Sequence, residues 1–295
     1  MQIISNRKIW FTFSGTLIIL SLLMLALWGL RLGIDFTGGS LLELEFASNQ
    51  PSAQEIEKVF SELQILSPSV QLSGQNDAVV RFPPITETMH QDLLTKLTEV
   101  YGEVREIRFD SIGPSVGREL FRKAIVAVVL VTGMILVYIA WSFRKVSRPV
   151  ASWVYGGIVV LTFMHDVILP LGLFAYLGHF RGWEIESPFI AAILTILGYS
   201  IADTIVVLDR VRENLRRLRG TFEEIVEASV HQTITRSINT SLTTMLALFA
   251  IFLFGGVTLQ SFALALIVGI FFGTYSSIFI AAPLLVSWHR FKGRR

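Results

Sequence analysis

The stretch that decides the fold is GYSIADTIVVLDRVREN, residues 198–214. It continues the apolar run PFIAAILTIL, residues 188–197, and ends in a cluster of basic residues. About 20 mainly apolar residues are enough for a helix to cross a bilayer, so Asp203 is predicted to lie inside a membrane-spanning helix. Charged side chains in such helices usually face the bundle interior or water, and they commonly carry function.

The composition of the 295-residue chain also indicates a membrane protein. Hydrophobic residues make up 52% and charged residues 16%, and the mean hydropathy is +0.60, whereas a soluble domain carries more charge. The six predicted spans are Trp10–Leu30, Ala124–Phe143, Val150–Leu177, Pro188–Leu208, Ile238–Phe254 and Phe262–Trp288. The first run is too long for a cleavable signal sequence, which favours an uncleaved anchor. The absence of cysteine excludes disulfides, thiolate catalysis and cysteine-ligated metals.

Lysine and arginine residues are concentrated in alternate short loops and in the C-terminal tail. They are Arg144, Lys145, Arg148, Arg210, Arg212, Arg216, Arg217, Arg219, Arg290, Lys292, Arg294 and Arg295. The opposite short loops, residues 178–187 and 255–261, contain only Arg181 of these two residue types. Because positive loops favour the cytoplasmic side, both termini are predicted to be cytoplasmic. Topology accounts for these clusters, so no nucleic-acid partner is expected.

The long segment between the first two spans is predicted to form a small α+β domain outside the cytoplasm. Two helical faces would build its core: Ile56, Val59, Phe60 and Leu63, and Leu93, Leu94, Leu97 and Val100. The predicted element order, β-α-β-β-α-β, is that of a ferredoxin-like domain. The chain therefore divides into residues 1–30, a cytoplasmic N-terminus with the first span; 31–118, the external ferredoxin-like domain; and 119–295, a five-helix membrane domain.

A cytoplasmic amphipathic segment is predicted near residues 211–235, between the fourth and fifth spans. Thr221 and Glu224 form a capping-box pattern that starts a helix. The residues expected on its apolar face are Phe222, Ile225, Val226, Ser229 and Val230. Such a face could lie against the inner membrane surface or a partner. Alternatively, it could pack on the chain's own spans, and the sequence leaves these two alternatives open.

The intramembrane carboxylate is the candidate site. Counting helix rise from Leu208 places Asp203 roughly 8 Å inside the inner face. Arg236, at the inner end of the fifth span, has a side chain long enough to reach toward it. A hydrated polar seam is predicted around them from Tyr199, Ser200, Asn239 and Thr243, with Thr240 and Thr244 nearby. Such a carboxylate can exchange a proton, which favours a proton relay; the alternative is a fixed Asp–Arg pair that locks two helices.

Two further motifs receive plainer interpretations. Asp166 follows His165, and counting helix rise from Val150 places Asp166 roughly 24 Å from the inner face. Neighbouring side chains on a helix point about 100° apart, so the two residues are not expected to share one site.

GIDFTGGS, residues 33–40, lacks the lysine and the following helix of a phosphate-binding loop. Gly38 and Gly39 are instead expected to form a tight turn into the first strand.

Several segments, in order, resemble the SecF proteins of the SecD/SecF family of bacterial protein export. They are GIDFTGGSLLE (33–43), FDSIGPSVGREL (109–120), HDV (165–167), GYSIADTIVVLDRVREN (198–214) and TRSINTSLTT (235–244). The resemblance implies a multi-pass protein of the bacterial inner membrane, without enzymatic activity, cofactor or metal. Its external domain would be periplasmic, and it would belong to the resistance-nodulation-division type of proton-coupled transporters.

The resemblance also implies partners and roles. The chain would pair with SecD and associate with the SecYEG channel, after SecA has pushed an unfolded preprotein through, and would assist export with the proton-motive force. Asp203 and Arg236 match residues implicated in proton conduction, whereas Asp35, Gly38 and Gly39 belong to a motif without an assigned role. The alternatives are half of a related exporter of small molecules or lipids, a passive scaffold, and an intramembrane aspartyl protease with Asp166 and Asp203 as its catalytic pair. The protease is disfavoured by the roughly 16 Å difference in depth from Asp203 and by the missing Gly-x-Gly-Asp sequence.

Overall fold

The computed structural model describes residues 2–47, 50–73, 76–142 and 150–293. Its elements, in chain order, are α1 (Arg7–Trp28), α2 (Ile34–Thr37), β1 (Gly39–Phe46), α3 (Ala53–Glu62), β2 (Ser69–Ser73), β3 (Asp77–Phe82), α4 (Glu87–Tyr101), β4 (Val104–Ile112), α5 (Pro114–Ser142), α6 (Ser152–Arg181), α7 (Ser187–Arg217), α8 (Phe222–Phe254), α9 (Val257–Ser276) and α10 (Ala282–Gly293). A π-helical turn, Ser277–Ala281, joins α9 to α10. The chain forms two compact units, one of residues 1–30, 127–183 and 188–295 and one of residues 31–126 and 184–187.

The six predicted spans are confirmed as helices. Within the described residues, six helices are long and apolar enough to cross a membrane, the sixth running from Leu259 through the π turn to Lys292. Helix ends differ from the predicted spans because a helix continues past the point where its sequence turns polar. The clearest case is α7, which extends nine residues beyond Leu208 to Arg217.

The predicted amphipathic segment is not a separate helix. The capping box of Thr221 and Glu224 is present, but it starts α8, which continues directly into the fifth span. Val226 and Val230 are fully buried in the helical core. The Asn214 side chain on α7 donates hydrogen bonds to Ser229 and Gln232 on α8. The segment therefore packs on the chain's own helices, one of the two predicted alternatives.

Of the basic residues used to predict the topology, Arg144, Lys145, Arg148, Arg294 and Arg295 lie outside the described residues.

The external unit has the predicted ferredoxin-like topology. Its four strands are in the order β2-β3-β1-β4, and all neighbours are antiparallel. The predicted apolar faces of α3 and α4 pack on the sheet through side chains such as Phe60 and Leu93, which are fully buried. Val100 is an exception, because it lies at the end of α4 and is 50% exposed.

The unit extends beyond the predicted boundary at residue 118 because the first turns of α5 pack against α2. The rings of Phe36 and Phe121 are in edge-to-face contact, with centroids 5.7 Å apart. Gly38 and Gly117 allow the two backbones to meet: a Cβ on Gly117 would lie 2.8 Å from the Gly38 nitrogen. The predicted tight turn is present, since Gly38 has a φ of +78° and Gly39 one of +143°.

Replacing Gly38 by Ala is expected to destabilise the external unit more than replacing Gly102. Both glycines have nearly the same φ, +78° and +80°, so each variant incurs a backbone strain of about 2 kcal/mol. A Cβ on Gly38 would also lie 2.7 Å from the Pro114 Cα, whereas Gly102 has open space, which adds about 2 kcal/mol. Hydrogen–deuterium exchange of the β1 amides in the full-length protein measures the difference. Equal losses in Gly38→Ala and Gly102→Ala would contradict it.

Candidate functional site

Asp203 lies where three helices meet. It occupies the middle of α7 and is partly buried. The Ser237 hydroxyl, on α8, donates a hydrogen bond to Asp203 Oδ1 at 2.5 Å, and the Ser277 hydroxyl, at the start of the π turn, donates to Oδ2 at 2.6 Å. The carboxylate is therefore held inside the bundle by neutral donors, away from the outer surface of α7.

Arg236 shares a cavity with Asp203. The cavity is open and has a volume of about 180 Å³, and its walls are Tyr199, Ala202, Asp203, Val206, Arg236 and Thr240. Among the described residues no ion pair joins Asp203 to Arg236, so the alternative of a fixed pair locking two helices is not seen here. Arg236 is exposed and lines the same cavity as Asp203. This arrangement leaves the carboxylate accessible to water from one side.

The residues predicted to form a polar seam have different surroundings. Tyr199 lines the cavity beside Asp203. Ser200, in contrast, donates its hydrogen bond to Asp166. Asn239 and Thr243 lie on the exposed side of α8, and the Thr243 hydroxyl donates to carbonyl groups of its own helix at 2.9 and 3.0 Å. Thr240 does line the cavity, so the sequence did not show which of the polar positions on α8 lie beside Asp203.

Asp166 is a second buried carboxylate in the bundle. It is 0% exposed. It accepts hydrogen bonds from Ser200 on α7 and from Ser276 on α9, the latter at 2.7 Å. His165 Nδ1 lies 2.7 Å from Asp166 Oδ1. The expectation that these neighbours cannot share a site was wrong, because the 100° separation applies at the backbone and the side chains turn toward each other.

The two carboxylates lie at similar depths. Asp166 is bonded to Ser200, which precedes Asp203 by three residues on α7, a rise of about 4.5 Å. On the other side, Asp166 is bonded to Ser276 and Asp203 to Ser277, consecutive residues. The predicted difference of roughly 16 Å was wrong because Leu208 is not the end of α7. The depth argument against a protease therefore no longer applies, although each carboxylate is bonded to its own serines and the protease motif is still missing.

Glycines bring α9 close enough to α7 for these contacts. A Cβ on Gly273 would lie 3.1 Å from the Ser200 Cβ, and a Cβ on Gly269 would overlap the Ile196 side chain. Gly269 and Gly273, the two glycines of the sequence GIFFG, are thus the positions at which the two helices approach closely. Short hydroxyl side chains can bridge helices only at such close approach.

Asp35, from the GIDFTGG motif, binds the first residue of α7. Its Oδ2 accepts a hydrogen bond from the Ser187 backbone N–H at 2.7 Å. A carboxylate at a helix N-terminus stabilises the unpaired N–H groups there. The sequence offered no sign of this contact, because the two residues are 152 positions apart.

Beside Asp35, the segment of residues 184–187 is held on the external unit by charge. Glu184 lies 3.2 Å from Arg31 and 3.0 Å from Arg81, and Glu186 lies 3.6 Å from Arg81. A parallel bridge joins Leu32 to Ile185. Burial raises the pKa of Glu184, against the opposing effect of the arginines, and also raises the pKa of Glu186, where Asp35 and Glu184 add repulsion.

The external unit is expected to lose stability as the pH rises above the ordinary glutamate pKa of 4.5. Between that value and the raised value, the folded state binds more protons than the unfolded state, so the free energy of unfolding falls with increasing pH. Exchange of the β3 amides, corrected for its intrinsic pH dependence, should be slower at mildly acidic pH. The double variant Glu184→Gln/Glu186→Gln should lack much of this slope, and an unchanged slope would contradict the assignment.

Among the described residues no cluster of three His, Asp or Glu side chains is placed to hold a metal ion.

Comparison with known proteins identifies relatives over the whole chain. The family model described as protein export membrane protein SecD/SecF, C-terminal, matches residues 92–291, and the SecD/SecF GG motif matches residues 29–49. The protein translocase subunit SecF of Anaerolinea thermophila is 40% identical over 98% of this chain and 94% of its own length. SecF of Haemophilus influenzae is 38% identical over 94% of this chain and 83% of its own length.

A solved structure has the same fold. The crystal structure of SecDF from Thermus thermophilus, described as a translocon-associated membrane protein, superposes with a TM-score of 0.84 at 33% identity over 98% of this chain. This chain spans 38% of that longer protein. These relatives are named as protein translocase subunits. The six candidate spans, together with these relatives, identify this chain as a multi-pass membrane protein.

Proposed function

Because this chain belongs to the SecD/SecF family of protein export membrane proteins, as a SecF-type subunit, we propose that it uses the proton-motive force to assist export. In this proposal Asp203 takes up and releases a proton inside the bundle, and Arg236 acts on its charge from the shared cavity. The observation that carries the proposal is the placement of Asp203 between hydroxyl donors on one side and an open cavity on the other.

The energy available is sufficient for a conformational step. One charge that crosses a potential of 100 mV releases about 2.3 kcal/mol, so a few protons per cycle can bias a two-state element. Protonation of Asp203 removes a negative charge that Ser237 and Ser277 now stabilise. Helices α7 and α8 and the π turn would then repack, and this is the kind of local charge change that drives a switch.

The proposed partner is SecD, since the longer SecDF relative combines both parts in one chain and this chain spans 38% of it. The outer side of α8 supports a partner: Asn239 and Thr243 are exposed there within an apolar helix, and polar side chains in spans are commonly paired with a neighbouring helix. The pair would act at the SecYEG channel on an unfolded preprotein delivered by SecA. We place both termini in the cytoplasm and residues 31–126 in the periplasm of a bacterial inner membrane.

Export into vesicles tests the proposal. Vesicles would contain the channel and SecD, with or without this chain, and export of a preprotein would be followed with and without an imposed proton gradient. The gradient is expected to increase late export only when this chain is present. Equal stimulation without the chain would overturn the proposal.

A further inference from the structure

The proposed function uses one carboxylate, yet the bundle contains a second one that is buried more deeply. Asp166 is fully buried, and its neighbour His165 is 3% exposed. Within the described residues no lysine or arginine contacts Asp166, and its ionic neighbour is His165. An ionised carboxylate without a cation is expensive to bury, so the pair is expected to share one proton, either as imidazolium with carboxylate or as imidazole with carboxylic acid.

The two ring nitrogens of His165 have different surroundings. Its Nδ1 is bonded to Asp166, whereas its buried Nε2 has no hydrogen-bond partner in the described part of the chain. The ring lies beside Tyr275 and Phe272, at centroid distances of 6.3 and 6.1 Å. Buried polar atoms are nearly always satisfied, and an exception calls for an explanation such as a proton-transfer role or a water molecule.

Two consecutive serines connect this pair with Asp203. Ser276 donates to Asp166, and Ser277 donates to Asp203. They lie at the junction between α9 and the π turn, and π turns within α-helices are frequent at functional sites. On α7, Ser200 and Asp203 are one turn apart, so both helices connect the two carboxylates.

From this geometry we propose that Asp166 and His165 form a second protonatable site, coupled to Asp203. The inference rests on the proposed function of Asp203. The proton moves between His165 Nδ1 and Asp166 Oδ1, which leaves the pair neutral, and the pair becomes charged only when the proton leaves it. Since two negative carboxylates held by the consecutive serines Ser276 and Ser277 would repel each other in a dry bundle, loss of the proton at one site favours its retention at the other.

The titratable groups that face Asp166 are few. His165 lies beside it on α6, Asp203 lies on α7 one turn after the Ser200 that is bonded to Asp166, and Tyr275 lies on α9. The Tyr275 hydroxyl accepts from Ser14 at 3.2 Å and donates to the Trp10 carbonyl at 3.4 Å, so it is directed toward α1. The pH response of the pair is thus set mainly by His165 and Asp203.

Infrared difference spectroscopy tests the coupling in the complete complex. The full-length chain, carrying isotope-labelled aspartate, would be reconstituted with SecD in vesicles, and spectra would be compared between acidic and alkaline pH. Two buried carboxyl signals are expected, one lost in Asp203→Asn and the other in Asp166→Asn. In Asp166→Asn the midpoint of the Asp203 signal should also shift, by about one pH unit.

The outcomes separate the inference from the function it rests on. If Asp166→Asn gives the wild-type spectrum while Asp203→Asn loses a signal, the second site is refuted and the function stands. If neither variant changes the spectrum, both are refuted. Should Asp166→Asn fail to fold, His165→Gln keeps the carboxyl and must shift the midpoint of the Asp166 signal; an unchanged midpoint overturns the inference.

Discussion

Replacing Asp203 by Asn is expected to abolish the stimulation of export by a proton gradient while the protein still folds and assembles. Asparagine has nearly the same shape as aspartate. Its carbonyl can accept from Ser237, and its amide can donate to Ser277 once that hydroxyl rotates, so the packing of α7 on its neighbours is preserved. The variant cannot ionise, however, and the charge change that would couple proton entry to helix repacking is lost.

Asp209→Asn is the matched control for this experiment. Asp209 lies six residues further along α7, is exposed and is 3.5 Å from Arg212, an arrangement that contributes at most about 1 kcal/mol. It should keep full stimulation, because it lies outside the bundle interior. Preprotein export with and without the gradient gives the comparison. Stimulation of Asp203→Asn equal to that of Asp209→Asn would remove Asp203 from the coupling role.

Replacing Arg81 by Met is expected to lower the free energy of unfolding of the external unit by about 3–5 kcal/mol at neutral pH. Arg81 is 9% exposed and lies within ion-pair distance of both Glu184 and Glu186. Methionine leaves two carboxylates buried without their main cation. Because burial already raises the pKa of each glutamate, protonation at mildly acidic pH should recover part of the loss.

Arg31→Met is the control, since Arg31 contacts the same Glu184 carboxylate at 3.2 Å. Its side chain is 46% exposed, so the expected loss is about 1 kcal/mol or less. Hydrogen–deuterium exchange of the β3 amides in the full-length protein, at neutral and mildly acidic pH, measures both variants. Losses of equal size, or a loss in Arg81→Met that does not depend on pH, would contradict the assignment of Arg81 as the buried counter-ion.

Features determined by local pattern could be predicted from the sequence. Long apolar runs determine the six spans, and helical spacing identified Ile56 and Phe60 as core residues. The capping box at Thr221 and Glu224 was recognisable because its two residues stabilise the same helix start. The position of Asp203 inside a span followed from its apolar surroundings.

Features determined by the relation between helices could not be predicted in the same way. Ser200 was expected beside Asp203, but it is bonded to Asp166 because a helix position one turn away faces a different neighbour. Ser276 and Ser277 were missed, although two adjacent serines within the mainly apolar segment FFGTYSSIFIAA were a usable signal. The contact of Arg81 with Glu184 joins residues that are far apart in the sequence, and no periodicity reports such a pair.

Proton entry into sealed vesicles is the most direct test of the role assigned to Asp203. Vesicles containing this chain and SecD would enclose a pH-sensitive dye, and the external medium would be acidified. We expect wild-type vesicles to acidify faster than empty vesicles, and vesicles with Asp203→Asn to acidify no faster than empty ones. Acidification of the Asp203→Asn vesicles at the wild-type rate would contradict a proton path through this carboxylate.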